Sequence, residues 1–293
     1  MKAIDGYTRT CGLIGNPVEH TLSPLIHNML AELMDGLTDK RLCYVPLKVE
    51  EGQLEAAVKG AYALNFLGTN VTVPYKSEVI PFLRELDPLA ARIGAVNTLV
   101  RMEGGFRGYN TDMPGLYRAL CADGVQIEGE KVLVLGAGGV ARAVAVLLAE
   151  KGAAGVILLN RTLEKAQRIA DEVNKMAGRE LVSAMEYSDY TRLPEGERYL
   201  AIQATSVGMH PHDDEVVLAD RAFYQKLHTG YDLIFNPAKT RFMKLVEEQG
   251  GRAMNGAKML LYQGVIAYEL WTGCAVSDEY AGRVFAAMEE TWK

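Results

Sequence analysis

The feature that most constrains this chain is an apolar β-type run, Lys131–Leu135, that breaks directly into Gly136-Ala137-Gly138-Gly139-Val140-Ala141 and then into a helical pattern reaching Lys151. A strand, a glycine turn and a helix in immediate succession form the first half of a βαβ unit, and the spacing GxGxxA puts small residues where a dinucleotide requires them. Gly136 permits the tight turn, Gly138 lets backbone approach a pyrophosphate, and Ala141 leaves room for close helix packing. The helix N-terminus turns partial positive charge toward the phosphates. The pattern then repeats as a strand over 155–160 and a helix over 162–177, completing a βαβα unit. Arg142 and three glycines divide the apolar stretch 132–149, so it does not read as a membrane span.

The end of the second strand bears on the cofactor. An NAD site usually carries Asp or Glu there to bond the ribose hydroxyls, whereas this chain has Asn160-Arg161-Thr162, with Lys165 one helical turn beyond Arg161. An acid within 4 Å of an adenosine 2′-phosphate would cost on the order of 4 kcal/mol per charge at an effective dielectric of ~20, while two cations attract it. The segment therefore predicts NADP rather than NAD. Thr162 is also expected to cap the following helix through its hydroxyl.

Elsewhere β-type runs (41–49, 66–73, 96–102, 106–109, 199–203, 231–235) alternate with helical patterns (25–33, 51–63, 114–121, 240–248, 256–271). The fold class expected is α/β, with a mainly parallel first domain containing one antiparallel pair, a hairpin turning at 103–105. A chain of 293 residues exceeds one comfortable core, so two domains are expected. The net charge of −6, without any block of Lys or Arg, argues against a nucleic-acid partner. Cys11, Cys43, Cys121 and Cys274 lie too far apart for a disulfide framework or zinc motif, and read as small core residues in a reducing compartment. The start of the sequence has no signal-peptide pattern, which makes the cytoplasm the expected address. The His210-Pro211-His212-Asp213-Asp214 run reads as a polar loop and no metal is expected.

Polar residues cluster where the apolar strands end: Thr21-Leu22-Ser23-Pro24, Asn70 to Lys76, Ala95 to Thr98, and Asn110-Thr111-Asp112. Such ends are where open α/β sheets bind ligands, and the mixture of amides and hydroxyls suits a small polyhydroxylated molecule. Proton transfer needs a titratable group, and Lys76 with Asp112 is the pair these segments supply. His20 and His27 read as structural hydrogen-bonders.

In this order GNPVEHTLSPLIHN, NVTVPYK, GAVNTL, NTD, GAGGVARA, NRT, ATSVGM and GAKMLLYQG span nearly the whole chain, which thereby resembles the shikimate dehydrogenase family. The resemblance implies NADP-linked, reversible reduction of 3-dehydroshikimate to shikimate, a step toward chorismate and the aromatic amino acids. It implies that Lys76 moves the proton and Asp112 binds the substrate and orients that lysine. Thr21 and Ser23 match the pair that holds the substrate carboxylate, with Tyr231 as auxiliary. Asn70, Thr72, Asn97 and Gln263 match residues that bind ring hydroxyls or brace those that do. For the cofactor it implies Gly136, Ala137, Gly138, Gly139, Val140, Ala141, Asn160, Arg161, Thr162, Lys165, Thr205 and Ser206. The chain departs from the family at Thr21, often serine, at Gln203, usually asparagine, and at Lys165, commonly arginine.

These readings predict a substrate-binding domain over 1–112, a Rossmann-type NADP domain over 113–253, and C-terminal helices, 254–293, that return to the first domain because Gln263 must reach the substrate. The active site is expected between the domains, in a monomer or a homodimer. The alternatives are a broader quinate/shikimate dehydrogenase using NAD or NADP and a non-catalytic nucleotide sensor, which has no use for the joint presence of Lys76, Asp112, Thr21 and Ser23.

Overall fold

The computed structural model describes residues 4–292. The elements run β1 (Arg9–Gly15), α1 (Ser23–Leu33), β2 (Leu42–Lys48), α2 (Leu54–Ala63), β3 (Gly68–Val71), β4 (Glu85–Leu86), α3 (Pro88–Ile93), β5 (Thr98–Met102), β6 (Gly105–Tyr109) and α4 (Asp112–Ala122). They continue with β7 (Lys131–Leu135), α5 (Gly139–Glu150), β8 (Gly155–Asn160), α6 (Leu163–Ala177), β9 (Val182–Glu186), β10 (Tyr199–Gln203) and α7 (Arg221–Gln225). Last come β11 (Leu227–Asp232), α8 (Arg241–Glu248), β12 (Arg252–Met254), α9 (Ala257–Thr272) and α10 (Asp278–Glu290).

The chain forms two compact units. The first ends at Arg118 and resumes at Leu260, and the second is Ala119–Met259. These divisions fall a few residues beyond 112 and 253, inside α4 and α9, because each helix starts before the chain changes unit.

The sheet of the first unit has the order β2-β1-β3-β5-β6-β4. β5 runs antiparallel to both β3 and β6, so there are two antiparallel pairings where one was expected. The hairpin pairs Met102 with Gly105, which leaves Glu103 and Gly104 as the turn; φ at Gly104 is 80°, the left-handed region glycine tolerates. Ile14, Val58, Val71, Val79, Val96, Leu99 and Phe106 form a core against this sheet. α9 returns over it at Trp271, whose indole N–H donates to the Leu99 carbonyl at 2.9 Å.

The second unit's sheet, β12-β11-β10-β7-β8-β9, is parallel throughout. Counted in chain order it reads 6-5-4-1-2-3, the doubly wound arrangement whose direction switches between β7 and β10. Strands buried on both faces must be apolar along their length, and Val132 to Leu135 are fully buried. Leu133, Leu159, Ala201, Phe223, Tyr224 and Phe242 pack one side of this sheet.

Three local expectations change. β11 spans Leu227–Asp232 and not 231–235, because the buried Asp232 carboxylate accepts from Ile234 N at 3.0 Å and from Thr240 Oγ1 at 2.6 Å, folding the Leu233-Ile234-Phe235 run into a loop. Thr162 occupies the N-cap position of α6, yet its hydroxyl makes no capping bond; its carbonyl is the group used, accepting from Lys165 N and Asn160 Nδ2. Of the four cysteines only Cys11 is fully buried, and Cys121 is exposed.

Candidate active site

In the first unit, backbone pairing brings three loops together at the strand ends. Val71 N donates to Asn97 O, Val96 N to Lys76 O at 2.7 Å, and Asn97 N to Tyr109 O at 3.0 Å. Asn97, almost wholly buried, becomes the hub. Its Nδ2 donates to Asp112 Oδ1 at 2.9 Å and Thr111 Oγ1 at 3.0 Å, with Gln263 Oε1 at 3.5 Å, while its Oδ1 accepts from Thr111 N at 2.7 Å. The other carboxylate oxygen of Asp112 accepts from Lys76 Nζ at 2.6 Å. Asp112 opens α4, where the helix dipole favours its negative charge.

Side chains of the pair remain partly exposed, Lys76 at 33% and Asp112 at 19%. An ammonium has three donors and only one is spent on Asp112, so the pair can serve a ligand oxygen beside it. Asn70 stands behind them. Its Oδ1 accepts from Tyr44 Oη at 2.8 Å, and its Nδ2 donates to Thr98 Oγ1 at 2.9 Å and Asn97 O at 3.1 Å. Both amide hydrogens are thus committed to the protein, which makes Asn70 a brace. Tyr44 is in turn backed by His27, stacked at 4.2 Å and 17°. Burial holds the His27 imidazole neutral down to about pH 3.

Thr21 and Ser23 meet at the start of α1, with Thr21 Oγ1 3.1 Å from Ser23 Oγ and accepting from Ser23 N. Thr72 follows β3, its backbone N donating to Ile14 O at 2.9 Å. Gln263 is brought in by a backbone contact: a Cβ on Gly115 of α4 would lie 2.6 Å from Gln263 N, so glycine is what lets α9 lie this close. Its Nε2 donates to Leu260 O. Tyr231 belongs to β11 of the second unit and is fully buried.

In the second unit the strand-to-helix turn lies as its glycines require. Gly136 has φ 116°, and a Cβ there would strike Thr205 Cγ2 at 2.8 Å. Cβ atoms on Gly138 or Gly139 would meet no protein atom within 4 Å, so these two glycines leave an open face in front of the α5 N-terminus. Ala141 is fully buried against the sheet, and Val140 is exposed. Gly136, Ala137 and Gly138 form one wall of a cavity of about 360 Å³. Asn160, Arg161, Thr162 and Lys165 form a second wall, and Ala204, Thr205 and Ser206 a third. This donor set fits a dinucleotide: space without side chains for the diphosphate, and two cations at the edge for a further phosphate. The sequence did not single out Tyr187, whose phenol burial pushes up to about 12 against the pull of the neighbouring Arg161 charge.

His210 and His212 form exposed i,i+3 contacts with Asp213 and Glu215. Among the described residues no group of three or more His, Cys, Asp or Glu is placed to hold a metal ion. No helix among them is long and apolar enough to cross a membrane.

Comparison with known proteins places the chain in one family. Residues 13–99 match the shikimate dehydrogenase substrate binding domain, 120–193 the shikimate / quinate 5-dehydrogenase family, and 256–280 the shikimate 5′-dehydrogenase C-terminal domain. A shikimate dehydrogenase (NADP(+)) from Carboxydothermus hydrogenoformans is 42% identical over 270 residues, covering 92% of this chain and 94% of the relative. Shikimate 5-dehydrogenase from Listeria monocytogenes, solved with shikimate and NAD, superposes with a TM-score of 0.87 at 32% identity, covering 97% and 98% of the two chains. The Thermus thermophilus enzyme, solved with NADP(H) and shikimate, gives 0.82 at 31% identity, covering 95% and 99%.

Proposed function

The chain belongs to the shikimate dehydrogenase family, and from that premise we propose that it is an oxidoreductase interconverting 3-dehydroshikimate and shikimate with NADP. The observation that carries this reading is the Lys76–Asp112 pair at 2.6 Å, tied through Asn97 to the strand ends of the first unit.

When bound, NADP supplies or accepts the hydride at the substrate's reacting carbon. Lys76 donates a proton to the carbonyl oxygen as charge develops there, and takes it back in the oxidative direction. Asp112 orients the ammonium and accepts from a substrate hydroxyl. Asn97 holds Asp112 in register, so little reorganisation accompanies the reaction. Thr21 and Ser23, two adjacent hydroxyls beside a helix start, bind the substrate carboxylate. Thr72 and Gln263 bind ring hydroxyls, Asn70 braces Asn97 and Thr98, and Tyr231 is auxiliary. The open glycine face receives the diphosphate. Arg161 and Lys165 take the 2′-phosphate, with Asn160 and Thr162 shaping that edge and Thr205 and Ser206 the opposite one.

The test is a steady-state assay with shikimate and quinate, each with NADP and NAD. The highest kcat/KM is expected for shikimate with NADP. A higher value with quinate would replace the substrate assignment, and a higher value with NAD would remove the role given to Arg161 and Lys165.

A further inference from the structure

Gln203 ends β10, and its side chain is all but fully buried. A buried primary amide must place one acceptor and two donors, and Gln203 spends all of them on the loop that follows. Its Oε1 accepts from Thr205 N at 2.6 Å, and its Nε2 donates to Val207 O at 3.1 Å and Thr205 O at 3.3 Å. Val207 N then donates to Thr205 Oγ1 at 3.1 Å. The loop is therefore wound around one side chain.

Two further contacts lock what this shape presents. Ala204 N donates to Leu135 O at 2.9 Å, joining the loop to the strand that ends in the glycine turn. Thr205 Cγ2 presses on Gly136 so closely that a Cβ there would be 2.8 Å away. The loop is thus fixed against the turn, as the cavity wall bearing Thr205 and the exposed Ser206.

Sheet order says which part of a dinucleotide meets it. β8, which leads to Arg161 and Lys165, and β10, which leads to this loop, flank β7 on opposite sides. A dinucleotide with its diphosphate at Gly136–Gly138 and its 2′-phosphate at Arg161 must run its other half toward residues 204–207.

We infer that Gln203 is a positioning residue for the cofactor, shaping the 204–207 loop that holds the nicotinamide half while leaving the adenosine half untouched. The inference rests on the NADP reading of this cavity. It places Gln203 at one remove from the ligand, acting through Thr205 and Ser206.

Isothermal titration of NADP and of adenosine 2′,5′-bisphosphate, the adenine-side fragment, into the parent and two variants tests it. Q203M keeps the length and removes every polar contact. Q203E keeps the bond from Thr205 N and removes both donors, and carries the same comparison if Q203M does not fold. Each loop bond lost exposes a partner buried without one, so NADP is expected to bind ~10-fold or more weakly, while the bisphosphate stays within about twofold of the parent. A folded variant that binds NADP within about twofold of the parent overturns the inference. So does a parallel loss for both ligands, which would mean a general loosening of the unit. A parent that does not bind the bisphosphate would overturn the NADP reading itself, a different failure.

Discussion

The two units hold their candidate site residues by opposite means. In the first, the site is a network of side chains bonded to side chains: Lys76 to Asp112, Asp112 to Asn97, Asn97 to Thr111, and Asn70 to Thr98 and Tyr44. In the second, the site is mainly backbone: a glycine turn, a helix N-terminus and a loop wound on Gln203, with the cations Arg161 and Lys165 exposed at its edge. The contrast follows the ligands. A diphosphate is recognised by many equivalent N–H groups and by charge, which backbone supplies for almost any surrounding sequence. A ring carrying several hydroxyls and one reacting carbon needs particular donors and acceptors in fixed positions, which only packed side chains provide.

The contrast is sharpened or broken by substitutions on each side. The largest effect is expected for Lys76→Ala, with kcat falling ~10²- to 10⁴-fold as the proton carrier is lost while NADP affinity stays at the parental value. Near-parental turnover would end the assignment of that lysine. Next is Arg161→Ala, where loss of a charged contact worth about 1.5–3 kcal/mol should raise KM for NADP roughly 10- to 100-fold, leaving KM for NAD and kcat unchanged. Equal losses with both cofactors would show that Arg161 does not read the 2′-phosphate. Asn97→Leu leaves Thr111 N–H and one Asp112 oxygen without their partner, so it should lower stability by about 1–3 kcal/mol as well as kcat. A variant as stable as the parent in chemical denaturation would mean that the network is not cooperative.

The smallest effect is in the pH response, where the units should move in opposite directions. His27 in the first unit is held neutral to about 3 against an ordinary 6.5, so its stabilising contribution is present above about pH 6.5 and fades as pH falls toward 3. Asp232 in the second is pushed up by burial from 3.8 to about 6, so its contribution is present below 3.8 and lost as pH rises through 6. Hydrogen exchange at about pH 7 and pH 5 should show acid loosening the surroundings of His27 and firming those of Asp232. His27→Phe and Asp232→Asn should each flatten the response of their own unit. If both units respond in parallel in the parent, these two groups do not govern the difference.

The same contrast explains how much could be read before folding. The nucleotide unit was legible because strand, turn and helix carry their message within a few consecutive residues, and Gly136, Gly138 and Ala141 lie where that spacing requires. At the substrate site the residue types were legible at the strand ends, but their partnerships were not. Asn97 meets Gln263 across 166 positions, and the approach of α9 depends on Gly115, which no local pattern marks. Short elements escaped for want of periodicity, as with the two-residue β4 and three-residue β12. Two helices have their starts marked in the sequence by a capping side chain: Asp87 caps α3 and Ser277 caps α10. At 233–235 an apolar run mimicked a strand, and only the buried carboxylate of Asp232 shows why it bends.

The second unit is one unbroken stretch of chain, whereas the first is interrupted at Arg118 and resumes at Leu260. On the ribosome that difference becomes an order of events. The whole of Ala119–Met259 is made before Gln263 and Trp271 exist, so the nucleotide unit has its complete sequence while the substrate unit still lacks a helix of its core. The second unit is thus specified by one uninterrupted stretch of chain, whereas the first is complete only once Gln263 and Trp271 have been made.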